Sequence, residues 1–220
     1  MKYAIITGAN GGLGSFISRK LLEDNYFVIM LYHTNDDKVK ELHELYPNNT
    51  FCYKCDITKE DEVENIKNIL NNKNINIDLL INNAGIDTVG DLYDKTLDTF
   101  MNTYKVNAVG AFFMIKYFGD DIDLNHGDII NVSSDNAVDK YDVYTLEYDM
   151  SKAALNMLTL EYARLYKNAK VNAIAPTWMD TPMVDEDIKP LIEMVSLDRV
   201  YDEIKNIIEG SSTGEIKIIR

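Results

Sequence analysis

The chain has 220 residues, 46% of them hydrophobic, which suits one domain with a sizeable core. Its 22 Lys and Arg against 36 Asp and Glu give a formal net charge of -14, which argues against nucleic acid and anionic membranes as partners. No run of about 18 apolar residues occurs, so no transmembrane helix is expected. Residues 1–7 enter a strand-like run at once and leave no room for a signal peptide, so a cytoplasmic location is expected.

The predicted elements alternate along the chain. Residues 2–7 read as a strand, 14–24 as a helix and 27–32, "FVIMLY", as a second strand. An amphipathic helix over 36–46 carries Val39, Leu42 and Leu45 on one side, and a third strand covers 51–55. A helix over 60–70 has Thr58 as its candidate cap and acids in its first turn. A fourth strand at 78–82 precedes a long helical region over 97–118. Strand 128–133, helix 148–166 and strand 170–174 follow, then short helices at 186–195 and 198–209 and a last strand at 215–219. Most strands are continuous apolar runs, the mark of strands buried on both faces. The chain therefore reads as a doubly wound α/β fold, Rossmann-like: a mostly parallel sheet with helices on both faces, in a single domain over 1–220.

Two cysteines form a lone CxxC, Cys52 and Cys55. Residues three apart on a strand point to opposite faces, which separates the sulfurs. His33, His43 and His126 are scattered, so no metal or redox site is expected.

"TGANGGLG", residues 7–14, lies between the first strand and the first helix. Glycines there let a pyrophosphate approach the backbone at a helix N-terminus, where unpaired N–H groups and the dipole favour an anion. Further on, Tyr148 and Lys152 stand four residues apart on a predicted helix and share a face. A tyrosine with its usual pKa of about 10 is a poor base near neutrality. A nearby ammonium favours the phenolate, which suits proton exchange with a carbonyl or alcohol oxygen. Taken alone, the pair does not decide the matter, because helical Tyr/Lys pairs are common and most are not catalytic.

Other short motifs stand in order: "NNAG" at 82–85, "YKVN" ending at Asn107, "NVSS" ending at Ser134, "YDMSK" with Tyr148 and Lys152, and "VNAIAPTWMDTPM" at 171–183. Together with the GxxxGxG spacing of Gly8, Gly12 and Gly14, they resemble the short-chain dehydrogenase/reductase family across nearly the whole chain. The resemblance implies four catalytic residues. Tyr148 donates the proton to the substrate oxygen, Lys152 binds the nicotinamide ribose and lowers the tyrosine pKa, Ser134 bonds the substrate oxygen, and Asn107 holds a water that links Lys152 to solvent. Tyr144 has no lysine at its own i+4, and the family spacing, with one extra loop residue, favours Ser134 over Ser133.

The resemblance also implies a cofactor site. Gly8, Asn10, Gly11, Gly12, Leu13 and Gly14 form the phosphate turn. Asp56 and the Ile57 amide face the adenine, Asn83, Ala84 and Gly85 line the cofactor ribose, and Thr181 meets the carboxamide or a phosphate, with Tyr148 and Lys152 completing the site. The residue ending the second strand, which selects the cofactor, is Tyr32 rather than an acid. That favours NADP(H) over NAD(H), with His33 and Thr34 as hydrogen-bond donors to a 2′-phosphate. No basic residue stands in the glycine turn.

Three departures from the family pattern stand out: Thr177 after Pro176, a short substrate loop near 177–197, and no "VDGG"-like tail. The expected activity is carbonyl–alcohol interconversion, most like that of 3-oxoacyl-acyl-carrier-protein reductases, although an acidic protein does not suit an acidic carrier. A non-enzymatic cofactor-binding regulator is the alternative. Apolar residues around the helices at 97–118 and 148–166, among them Phe112 and Met157, suggest a homodimer or homotetramer.

Overall fold

The computed structural model describes residues 1–220. Seven strands form one parallel sheet: β1 (Tyr3–Thr7), β2 (Phe27–Tyr32), β3 (Thr50–Lys54), β4 (Leu79–Asn82), β5 (Asp128–Val132), β6 (Lys170–Pro176) and β7 (Ile216–Ile219). Their order is β3-β2-β1-β4-β5-β6-β7, and every pairing is parallel. The helices are α1 (Gly12–Glu23), α2 (Asp37–Leu45), α3 (Glu60–Asn72), α4 (Leu97–Tyr104), α5 (Gly110–Leu124), α6 (Leu146–Leu165) and α7 (Leu197–Glu209).

The apolar strand runs serve two cores at once. Ala4, Ile6, Val28, Met30, Leu79, Ile81 and Ile130 point to the layer holding α1, α2 and α7. Their neighbours Ile5, Ile29, Leu31, Leu80 and Ile129 point to the layer holding α3 and α5. Alternate side chains therefore enter opposite cores, and both must be apolar. Burying such a side chain stabilises the fold by about 1.5–3 kcal/mol. The two cysteines follow the same rule: Cys52 packs on the first layer and Cys55 is buried in the second. Burial pushes the Cys55 thiol up to about 12.

The strand order reverses between β1 and β4, because β1 pairs β2 on one side and β4 on the other. A crevice outside the carboxyl ends of the strands belongs at such a switch point. The glycine turn, Asn83–Gly85, Ser133–Ser134 and the 177–183 segment follow β1, β4, β5 and β6, so the topology alone gathers them on one edge.

Some elements differ from the sequence-based expectation. The region expected to be helical over 97–118 runs on to Leu124, and a π turn at Lys105–Val109 divides it into α4 and α5. No helix forms over 186–195. A single 3-10 turn at Lys189–Leu191 carries Pro190, which cannot sit inside a helix, and Val195 is drawn into a parallel bridge with Met179. Lys189 instead closes on Asp180 at 2.7 Å and Glu186 at 2.6 Å. Thr58 does not cap α3: its hydroxyl donates to Asp56 Oδ1 at 2.7 Å, and Lys59 occupies the capping position without a side-chain bond.

Candidate active site

The phosphate turn is built by close backbone contact. Gly8 has φ +64°, which L side chains rarely adopt, and a Cβ there would lie 2.8 Å from Ala84 Cα. Thr7 Oγ1 accepts from the Asn83 and Ala84 amides, both at 3.0 Å, and Asn83 Nδ2 donates to the Thr7 carbonyl at 2.9 Å. These bonds clamp the ends of β1 and β4 together.

The first turn of α1 has no acidic residue and no side-chain cap. The amides of Gly12, Leu13 and Gly14 have no intrahelical acceptor, so they remain free for an anion. A Cβ on Gly12 would lie 2.9 Å from Thr181 Cβ and 2.9 Å from Pro182 Cδ. Thr181 therefore stands against the phosphate turn. This cradle of uncapped amides, which side chains would fill, fits a dinucleotide pyrophosphate.

The adenosine side is less direct. His33 and Thr34 are exposed after β2, and His33 Nε2 lies 3.7 Å from Asp56 Oδ2. Burial pushes the Asp56 carboxyl up, but the Thr58 hydroxyl and amide and the charges of His33 and Lys59 outweigh it and hold it below the usual range. The Ile57 side chain is buried in the second core, which leaves only its backbone for a cofactor. Asn10 is committed elsewhere: its Oδ1 accepts from the Lys38 and Val39 amides at 2.9 and 3.2 Å and caps α2.

Asn107, Ser134, Tyr148 and Lys152 converge beside this cradle. The π turn carries Asn107, and such single-turn bulges often mark functional positions. Its Nδ2 donates to the Ile86 carbonyl and to Ser151 Oγ, both at 2.9 Å, and its Oδ1 accepts from the Ile86 amide at 2.8 Å. Gly85 lies under both Asn107 and Lys152: a Cβ there would be 3.4 Å from Asn107 Oδ1 and 3.2 Å from Lys152 Nζ.

Lys152 is buried, donates to the Val132 carbonyl at 2.7 Å and lies 5.5 Å from the centre of the Tyr148 ring. Burial pushes its ammonium down to about 8, against the opposing charge of Asp87. Tyr148 shifts the other way. Burial and the charges of Asp87, Asp149 and Asp135 push its phenol up, while a hydrogen bond with Ser134 acts downward. Burial and three nearby acids thus act against the lowering expected from Lys152. The result is a phenol that holds its proton, suited to donating it.

The rival residues occupy different surroundings. Ser133 Oγ donates to the Lys152 carbonyl at 3.5 Å, a structural bond within the chain, whereas Ser134 is the serine that bonds Tyr148. Tyr144 is exposed and is bonded through its backbone: its amide donates to Asp142 Oδ1 at 2.9 Å, and its carbonyl accepts from Lys95 at 2.9 Å.

Two features escaped sequence reasoning. One is Asp87, directly after the "NNAG" motif and Ile86, whose carboxyl is pushed up to about 6 by burial against the restraint of the Thr88 amide. The other is a buried ion pair between Lys95 and Glu147 at 2.6 Å, with side chains only 4% and 1% exposed. Glu147 immediately precedes Tyr148, which was the one available signal.

A family model described as short chain dehydrogenase matches residues 2–191. An NAD-dependent glycerol dehydrogenase of Listeria innocua is 30% identical over 87% of this chain and 79% of its own length. A diacetyl reductase [(S)-acetoin forming] of Staphylococcus epidermidis is 30% identical over 100% of this chain and 85% of its own. Among solved structures, ElxO with NADP bound superposes with a TM-score of 0.87 at 25% identity, covering 99% of this chain and 96% of that one. Whole-chain similarity of this kind, together with the gathered motifs, shows that the chain belongs to the short-chain dehydrogenase family.

Proposed function

We propose that this enzyme interconverts a small ketone and its secondary alcohol, with NADPH preferred and Tyr148 as the proton donor in reduction. The observation that carries the reading is the convergence of Ser134, Tyr148, Lys152 and Asn107 beside an uncapped helix N-terminus backed by Thr181. The first turn of α1, Asn83–Gly85, Lys152 and Thr181 would hold the cofactor, which supplies the hydride when bound. Ser134 and Tyr148 bond the carbonyl oxygen. As negative charge develops there, Tyr148 releases its proton to it, and the Lys152 ammonium stabilises the phenolate that remains. Asn107 holds Ile86 and Ser151, which fixes the loop after β4 against the catalytic helix. The test is consumption of NADPH and NADH against a panel of small ketones, 3-oxoacyl esters and sugars. Tight cofactor binding without turnover of any of them would favour the regulator instead.

The NADPH preference rests on charge. Tyr32 puts no acid at the end of β2, and the Asp36 carboxylate turns away to Lys40 at 3.0 Å. A cleft of about 250 Å³ beside the turn is lined by Gly12, Ser15, Arg19, Lys38 and Glu41 among others; Glu41 holds Arg19 at 3.0 Å, which leaves Lys38 as the cation suited to a 2′-phosphate. Tyr32→Asp is expected to lower the NADPH-to-NADH ratio of kcat/KM at least tenfold, about 1.4 kcal/mol. An unchanged ratio would place cofactor choice elsewhere.

The active form is proposed to be a homodimer through α4, α5 and α6. Met150 and Met157 stand 55% and 57% exposed along one stripe of α6, and Met101, Tyr104 and Phe112 are also exposed. An apolar stripe of this kind marks an interaction surface. Sedimentation should show a dimer in the wild type and a monomer for Met157→Lys; a monomeric wild type refutes it.

A further inference from the structure

The loop after β4 holds one group that the mechanism above does not use. Asp87 sits between two anchored neighbours. Ile86 is bonded through both its amide and its carbonyl to Asn107. Thr88 Oγ1 donates to Glu147 Oε1 at 2.9 Å and lies 3.2 Å from Thr103 Oγ1, and the Thr88 carbonyl accepts from Lys95 at 3.2 Å. A residue held from both sides has little freedom to swing into solvent, so Asp87 is preorganised.

Its loop is pinned between Asn107 and Glu147, the residue before Tyr148, and its charge acts on both Tyr148 and Lys152. Yet its Oδ1 is buried without any hydrogen-bond partner. Neither nearby cation bonds it: Lys152 donates to the Val132 carbonyl, and Lys95 goes to Glu147 and two carbonyls. Buried polar groups are nearly always satisfied, and an orphan at a catalytic centre points to a partner that arrives with the substrate.

We propose that Asp87 is a specificity-determining residue that accepts a hydrogen bond from a hydroxyl on the carbon next to the reacting carbonyl, so that the substrates are vicinal hydroxyketones and the matching diols. This rests on the ketoreductase reading above and names its substrate class. An ionised carboxylate only accepts, so the substrate group must donate. A hydroxyl fits better than an ammonium, because Lys152 beside the site repels a cation while a neutral hydroxyl escapes that cost. With Ser134 and Tyr148 on the carbonyl oxygen and Asp87 on the neighbouring hydroxyl, the substrate is held at two points and its face toward the cofactor is set.

The groups that face Asp87 are mixed in sign: Glu147, Asp149 and Tyr148 from α6, with Lys152 and Lys95 as the cations. The acids and burial make its charge unfavourable, so the fold carries Asp87 at a cost in stability. That is the signature of a residue kept for function.

The test compares hydroxyacetone with acetone as substrates of the wild-type enzyme and NADPH. A hydrogen bond to a charged acceptor is worth roughly 10- to 150-fold, so the kcat/KM ratio should favour hydroxyacetone by at least about tenfold. Asp87→Leu should bring that ratio close to one, with Asp87→Asn between. Binding gives a second readout: the wild-type complex with NADP+ should hold 1,2-propanediol more tightly than 2-propanol, and Asp87→Leu should lose the difference. Asp87→Asn should also melt higher at pH 7, by roughly 2–4 °C or more.

A wild-type enzyme that reduces both ketones equally overturns the assignment without any variant. Preference for aminoacetone over hydroxyacetone overturns the hydroxyl. Failure of the underlying reading looks different, because the wild type would then reduce no ketone at all despite binding NADPH.

Discussion

Replacing Tyr148 with Phe should lower the rate of ketone reduction about 10³-fold, within the range of about 10²–10⁴ that a positioned general acid supplies. The ring stays in place and only the hydroxyl is lost, so the hydrogen bond with Ser134 and the proton for the substrate oxygen go together. Cofactor affinity should hold within about threefold, because the amides at the start of α1 and Lys152 are untouched. The measurement is single-turnover NADPH oxidation beside NADPH binding by fluorescence. A variant that keeps full activity would remove Tyr148 from the mechanism, and one that no longer binds NADPH would make its role structural.

The pH dependence of the wild type follows from the same geometry. Lys152 is pushed down to about 8 by burial, and its ammonium is what stabilises the departing phenolate charge. The kcat/KM for reduction, which reports the free enzyme, should therefore fall as pH rises through about 8. Tyr148 itself is pushed up and stays protonated through that range, so it supplies no competing limb.

Breaking the ion pair between Lys95 and Glu147 should destabilise the protein by about 3–5 kcal/mol, the cost of leaving one buried charge without its partner. Lys95→Met leaves Glu147 with only the Thr88 hydroxyl and its own amide in a site 1% exposed. The pair also joins the loop after β4, through the Thr88 and Tyr144 carbonyls that Lys95 bonds, to the first turn of the helix bearing Tyr148. Activity per folded molecule should therefore drop as well, through looser placement of Asp87 and Tyr148. Urea unfolding of Lys95→Met, Glu147→Leu and the double variant separates the terms. The double variant should recover most of the loss, since an apolar pair leaves no orphan charge. Equal and additive losses would mean that the two residues do not act as a pair.

The pair also has a pH signature. Burial pushes the Glu147 carboxyl up, but hydrogen bonds from Lys95, its own amide and Thr88 and the Lys95 charge outweigh that and hold it below the usual range. Its folded pKa is thus depressed. The stability it contributes is present above the unfolded carboxylate value and is lost as pH falls through the folded one. Asp87 has the opposite sign. Its folded pKa of about 6 lies above the unfolded value, so stability declines as pH rises from about 4 to about 6, and neutralising it by Asp87→Asn removes that loss.

Much of the fold was legible because it depends on local pattern. Short unbroken apolar runs such as 27–32 read as strands buried on both faces, and the two separate cores bear this out residue by residue. The helix over 186–195 failed because periodicity alone does not register Pro190 or the bridge that draws Val195 to Met179. Thr58 is not the cap because α3 begins one residue later: Lys59 holds the capping position, and the Thr58 hydroxyl donates to Asp56. The π turn at Asn107 lies inside a region that reads as one helix, because no proline marks a break there.

The sequence by itself determined the strand–helix alternation, the glycine turn and the Tyr148–Lys152 pairing, because each rests on neighbours within a few residues or one turn of helix. Only the tertiary structure decided that Thr181 stands against Gly12, that Tyr148 is pushed up rather than down, and that Asp87 meets the catalytic pair with one oxygen unpartnered. Those outcomes depend on burial and on charges brought together from β4, β5 and α6, and no spacing along the chain encodes the distance between them.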